Sequence, residues 1–190
     1  MPDWSYQTLL RPLLFQLPAA RARALTLGAL GTLARYRLGP PLIALLGHTT
    51  PAASLRREIW GITFPSPIGV GADVPGNEAA LGGLARFGVG FVEVGPVSQA
   101  PTSTALPIDR RPLEQAIWLP APAPGADADT LLAIIERSQP LPVPLGVRLA
   151  PLHDADAVSA AGEQAALLAR FAPFAAFFTL MAPDLAGDAT

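Results

Sequence analysis

The sequence predicts an α/β fold: half of an eight-stranded parallel (β/α)8 barrel, preceded by a small N-terminal helical segment. Three observations carry this. First, short apolar runs rich in β-branched and aromatic residues recur at Ile68–Gly71, "VGFVEV", "VPLGVRLA" and "FAAFFTLM", the pattern of strands buried on both faces. Second, helical patterns separate them through short loops, which implies right-handed βαβ units and a parallel sheet. Third, the leucine- and arginine-rich start before "PAAS" has a different texture, which sets a 1–54 helical segment ahead of a 55–190 body. Four strands are half of the eight that close a barrel.

Within the first part, "YQTLLRPLLFQLPAARARALTLGALGTLARYRLGPPLIALLGH" is helical in tendency and broken at Pro12, Pro18 and Pro40-Pro41 into two or three short helices. Arginines recur too often for a membrane span or for the apolar region of a cleavable leader. Arg21 and Arg35 share one helical face, while Arg23 and Arg37 fall near Leu30 and Ala34. Docking on a membrane surface and packing against the same protein or a neighbour are therefore both open.

In the body, "REIWGITFPSPIGVG" reads as a short extended stretch and then a first buried strand near Ile68 to Gly71. "AALGGLARFG" is a brief helix with Gly88 as its C-terminal cap. After the second strand, "APTSTALPIDRRP" is a loop, with Asp109-Arg110-Arg111 a solvated turn, and "LEQAIWLPAPAPG" a short extended run. Asp127 or Asp129 starts the helix "ADTLLAIIERSQ". Asp154 reads as the cap of the long helix after the third strand, with His153 exposed beside it.

Composition excludes several chemistries. The chain has no cysteine, hence no disulfide, no thiolate metal site and no cysteine nucleophile. Its histidines are His48 and His153 alone, too few for a histidine-rich metal site in one chain. All 13 basic residues are arginine, so no Schiff base and no lysine acid or phosphate clamp is available. Asn77 is the single asparagine. The formal charge of −2 hides an asymmetry, because residues 1–57 hold seven arginines and one acid, and the remainder six arginines and fourteen acids. The basic start suits an anionic partner surface. No basic stripe with interleaved aromatics is present, so nucleic acid is not an expected partner.

Three segments in order, "LLRPLLFQLPAARARALTL", "GITFPSPIGVGA" and "LARFGVGFVEVGPVS", resemble the first half of the quinone-linked (class 2) dihydroorotate dehydrogenases. That resemblance implies an FMN-binding (β/α)8 barrel that oxidises dihydroorotate to orotate, in pyrimidine biosynthesis. It also implies that electrons pass to a membrane quinone docked through the N-terminal helices. The backbone against the flavin would be Gly71 and Ala72. The family's substrate-contacting lysine, however, falls at Gly76, and the first threonine of Gly-Thr-Val-Thr-Pro falls at Pro96. The asparagines of the family's substrate segment are absent from "IWLPAPA", and those of its third strand from Arg148-Leu149-Ala150-Pro151-Leu152-His153. At the fourth strand Ala182 stands for the serine base and Asp184 for the asparagine after it.

Abstracting a proton from a carbon acid needs a positioned base. Holding a planar anion needs several directional donors, each worth about 1.5 to 3 kcal/mol when charged. Alanine and proline side chains supply neither. The expectation is a domain inactive toward dihydroorotate, with FMN absent or weakly held, acting as a scaffold or as part of a larger protein. Two alternatives stand beside it: a flavin-binding oxidoreductase completed by further sequence, and a metal- or anion-binding barrel using Asp73 and Asp184. "GVGADV" lacks the third glycine of a dinucleotide fingerprint. Glu93, inside an apolar strand, is expected to pair with Arg86 or Arg148 rather than to catalyse. The remainder of the barrel would be supplied in cis or in trans. A cytoplasmic location is expected, with or without peripheral attachment to the cytoplasmic membrane.

Overall fold

The computed structural model describes residues 6–181 except 37, 48–49, 73, 75, 101–108, 112, 115, 119–125 and 152–155. A π-helical turn, Tyr6–Leu10, leads into α1 (Arg11–Phe15), followed by α2 (Ala19–Arg35) and α3 (Gly39–Gly47). The prolines stand at helix starts. Pro12 lies in the first turn of α1, Pro18 caps α2, and Pro40 and Pro41 open α3. A proline at these places loses no helical hydrogen bond, because the first N–H groups of a helix have no intrahelical acceptor. No described helix is long and apolar enough to cross a membrane.

The long helix α2 rests on the body. It contacts a 3-10 turn, Asn77–Ala80, and α4 (Leu81–Leu84). Gly31 permits the approach, since a Cβ there would overlap the carbonyl of Ala79, and a Cβ on Gly83 would overlap Leu30. Gly88, expected to end the α4 region, has φ +73.

Two small antiparallel hairpins flank the main sheet. In the first, β1 (Arg57–Ile59) pairs with β2 (Ile62–Phe64), where the sequence suggested a single extended stretch. Trp60 and Gly61 both take positive φ, 52° and 75°, and such a two-residue turn matches the twist of the strands it joins. The second is β4 (Asp109–Arg111) with β5 (Ala116–Trp118). Asp109 and Arg111, expected in a solvated turn, are therefore in a strand, though an exposed one, with Arg111 bonded to Asp109 at 3.1 Å.

The main sheet contains β3 (Val92–Ser98), β6 (Ala126–Asp127), β7 (Leu145–Leu149) and β8 (Phe177–Leu180), in the order β6-β3-β7-β8. Every pairing in it is parallel, as the βαβ reading requires. The expected first strand is the exception. Backbone bonds join Ile68 and Val70 to the 90–93 segment, but only Val70 makes a bridge, to Val92, and Ile68 is 73% exposed rather than buried. Pro65 and Pro67 remove donors just before it, and the ring of Phe91 fills the space over Gly69. Further along the same edge of β3, Ala126 and Asp127 of β6 pair with Val97 and Ser98.

One face of this sheet is the core. Val92, Val94, Val97, Leu145, Val147 and Leu149 pack beneath α4, α5 (Ala128–Ser138) and α6 (Ala157–Phe171), against Leu81, Leu131, Ile135, Leu167 and Phe171. Both helices that follow strands of the main sheet, α5 and α6, begin on an aspartate. Asp127, one of the two caps expected for α5, accepts from the backbone of Asp129 and Thr130. For α6 the cap is Asp156, not Asp154: it accepts from Val158 and Ser159 at 2.9 Å. The Asp-Ala-Asp repeat offers the same residue type twice, and only the second precedes the first helical turn.

Candidate functional site

Strand alternation sends the neighbours of those core residues to the opposite, concave face. In register, Glu93 stands beside Gly146 and Gly146 beside Phe177, while Arg148 stands beside Thr179. Three half-buried rings floor this face: Phe64, Phe91 and Phe177, with centroids 5.6 to 6.2 Å apart. Phe91 meets Phe64 and Phe177 nearly perpendicular, at 90° and 80°, which places the positive edge of one ring on the negative face of another. Gly146 makes room for the ring of Phe177, which a Cβ would strike.

Above the rings lies a buried polar cluster. Glu93, 6% exposed, accepts through Oε2 from Arg148 Nη2 at 2.8 Å and from the Ala72 N–H at 3.1 Å. The expected pairing of Glu93 is thus made by Arg148, whereas Arg86 donates to the Gly82 carbonyl. Asn77, wholly buried, donates through Nδ2 to the carbonyl of Glu93 at 2.8 Å and to that of Gly71 at 3.1 Å. The turn that delivers Asn77 passes through Gly76 at φ +78, a left-handed conformation that glycine adopts without strain. At the far end of β3, the Gln99 N–H donates to the buried Glu163 of α6 at 2.9 Å.

Gly71 and Ala72, the expected flavin contacts, therefore sit at the centre of this cluster. Ala72 is 1% exposed with its N–H given to Glu93, and the Gly71 carbonyl is taken by Asn77. Asp73 and Asp184, the alternative metal or anion pair, lie outside the described residues, as do His48, His153, Asp154 and Ala182. Sequence reasoning missed Asn77 as a structural residue. A signal existed: it is the chain's one asparagine and directly follows a glycine.

Chemically, Glu93 Oε2 and Asn77 Nδ2 are engaged with partners, whereas the buried Oδ1 of Asn77 accepts no hydrogen bond from a described residue. Glu93 bridges two chain segments and a guanidinium, and Asn77 bridges two carbonyls. Groups so engaged hold backbone in place, and they are not aimed at a substrate atom.

No family model matches the chain. Among curated proteins it is similar to the dihydroorotate dehydrogenase (quinone) of Stenotrophomonas maltophilia strain R551-3, 32% identical over 185 residues, covering 95% of this chain and 51% of the relative. The Azotobacter vinelandii enzyme of the same name is 34% identical over 175 residues, covering 91% and 48%. That of Nitrosomonas eutropha is 43% identical over 94 residues, or 50% and 25%. The chain thus spans about half the length of the curated relatives it matches over most of its residues. Among solved structures, DHODH from Eimeria tenella in complex with ferulenol aligns with a TM-score of 0.57 and 24% identity, covering 73% of this chain and 40% of that one. The ligand-free form gives 0.56, 22%, 76% and 45%. This likeness shows the fold, a partial barrel.

Proposed function

The chain is a relative of the quinone-dependent dihydroorotate dehydrogenases, and on that premise we propose that it is a half-barrel of that type which no longer oxidises dihydroorotate and serves as a non-catalytic scaffold. One observation carries this reading. The only asparagine in a chain without lysine is fully buried, with its amide donated to two backbone carbonyls. No lysine or asparagine donor then remains to hold a planar anionic substrate, and no described group of the cluster is placed as a base for its carbon acid.

The residues at the expected cofactor contact do not fit FMN well. Ala72 is buried and its N–H is engaged, and the Gly71 carbonyl is engaged too, so a flavin would find neither as a partner. FMN supplies hydride-accepting chemistry where it is bound. A second reading, a flavin-binding oxidoreductase completed by further sequence, draws on the chain's spanning about half the length of its relatives. Purified protein incubated with FMN and passed through gel filtration separates the two. The scaffold reading expects a colourless protein and no dihydroorotate-dependent quinone reduction. A retained visible flavin band with turnover would overturn it.

The scaffold would present the N-terminal helices to an anionic surface. Leu13, Leu25, Tyr36 and Leu38 are 59 to 78% exposed, and Arg11, Arg21 and Arg35 are exposed among them. Apolar side chains interleaved with arginines suit a peripheral membrane contact. Co-sedimentation with vesicles containing an anionic lipid, and its absence with purely zwitterionic vesicles, is the expected result.

A further inference from the structure

We propose that the tip of the β1–β2 hairpin, Trp60 with Arg56 and Arg57 behind it, is an anchor for an anionic lipid surface. This goes beyond the scaffold reading and does not depend on the contact proposed for the N-terminal helices.

The tip is built against its own turn preference. A two-residue turn with positive φ at both positions favours asparagine, aspartate or glycine at the first, because a bulky side chain there crowds the backbone. This chain has tryptophan at that position, with φ 52°, and glycine only at the second. Burial does not repay the conflict, since Trp60 is 90% exposed. Ile59 and Leu55, in the same segment, are 47% and 41% exposed. The turn itself therefore does not account for the ring.

Charge sets the sign of the surface that the tip would meet. Between residues 51 and 71 the charged residues are Arg56, Arg57 and Glu58, all exposed. Arg57 donates to the carbonyls of Ser54 and Arg56, and neither arginine makes a salt bridge with a described residue. Two such guanidinium groups, close in the chain to an exposed indole, suit an anionic bilayer. Arginine is drawn to its headgroups, and indole settles where apolar and wet regions meet.

Area selects lipid over protein. A stable protein interface takes about 800 Å² from each partner. This hairpin has three residues in each strand and two in its turn, and at its base Phe64 is already packed on Phe91 and Phe177. A bilayer needs no matching patch, because a ring and its apolar neighbours partition into it directly.

The ring contacts also fix where the tip lies. Phe91 precedes β3 and Phe177 opens β8, so the hairpin is at the N-terminal end of the parallel strands. By contrast, α2 brings Leu27 beside Gly76, which follows the 68–71 segment. The hairpin is thus a surface separate from the exposed start of α2.

Fluorescence at one site tests this. Trp4→Phe with Trp118→Phe leaves Trp60 as the one tryptophan of the chain. With vesicles of phosphatidylglycerol and phosphatidylcholine, its emission should shift to the blue, and bromine on the lipid acyl chains should quench it. Vesicles of phosphatidylcholine alone should do neither. Arg56→Gln in that chain should raise the lipid concentration at half-maximal quenching about fivefold, with far-UV circular dichroism unchanged. Quenching that persists when Leu13→Glu and Leu25→Glu are added supports an anchor that acts without the helices. Emission that stays unquenched overturns the proposal: co-sedimentation with the same vesicles then leaves the helical contact standing, and its absence removes both. Equal quenching on phosphatidylcholine alone overturns it too.

Discussion

On the convex side of the sheet, six valines and leucines of β3 and β7 are buried beneath three helices, and the contact is apolar except where Glu163 meets the end of β3. On the concave side of the same two strands stand Glu93, Gly146 and Arg148, and order there depends on a few directional bonds among residues up to 55 positions apart. The first face is held by area removed from water, to which any well-shaped apolar residue contributes. The second is held by complementarity between particular atoms, in which each partner depends on the others. Substitutions should therefore act differently on the two sides.

The largest effect is expected on the convex face. Phe171→Ala empties a fully buried ring site and should cost about 3 to 5 kcal/mol in urea-induced unfolding. It should leave the relative exchange rate of the Ala72 amide unchanged, because that amide is held from the other side. A selective acceleration at Ala72 would dissolve the distinction between the faces.

Next comes the ion pair. Glu93→Gln keeps the shape and removes the charge, with an expected loss of about 1.5 to 3 kcal/mol and faster exchange at Ala72. The double variant Glu93→Leu with Arg148→Met should recover most of that stability without restoring protection at Ala72. Recovery of both would mean that the carboxylate does not hold the loop.

A smaller change follows from Asn77→Ala, about 1 to 2 kcal/mol, since the carbonyls of Gly71 and Glu93 each lose a donor in a buried site. Asn77→Asp should be worse than Asn77→Ala, because a carboxylate would face those two carbonyls.

The smallest effect belongs to the helix caps and depends on pH. Thr130 and the backbone N–H groups at Thr130 and Asp129 hold Asp127 below the ordinary carboxylate value of 3.8, and Ser159 does the same for Asp156. A depressed folded-state pKa stabilises above the unfolded value and ceases to do so as pH falls through the folded one. The contribution is thus present at pH values above 3.8 and is lost on further acidification. Asp127→Ala with Asp156→Ala should lower the melting temperature at neutral pH and narrow the gap to the unsubstituted protein in acid. A constant gap across that range would rule out the charged caps as its source.

The convex face was legible in the sequence because its rule is periodic. Runs such as "VGFVEV" and "VPLGVRLA" announce β3 and β7, and the intervening pattern announces α5 and α6. What failed was local. Ile68–Gly71 has the hydropathy of a strand, yet Pro65 and Pro67 just before it lack donors, and only Val70 makes a bridge. The β1–β2 hairpin turns on Trp60 at positive φ, which no propensity favours for tryptophan. On the concave face, the pairing of Glu93 was legible as a need, because a carboxylate in an apolar strand must find a cation. The clamp made by Asn77 depends on a left-handed turn at Gly76 that sets it beside two carbonyls, and no periodicity encodes that.

Where α2 crosses the body, Gly31 lies against the backbone of Ala79 with no side chain between to absorb a change, while Gly83 faces the side chain of Leu30. Flexible side chains elsewhere can shift to accommodate a neighbour's growth, but a helix resting directly on a peptide group has no such slack. The two segments are therefore bound in inheritance as well as in space: a larger residue at position 31 is tolerable only if the other segment moves with it. Grafting either part onto a foreign counterpart should fail at this seam before it fails anywhere else.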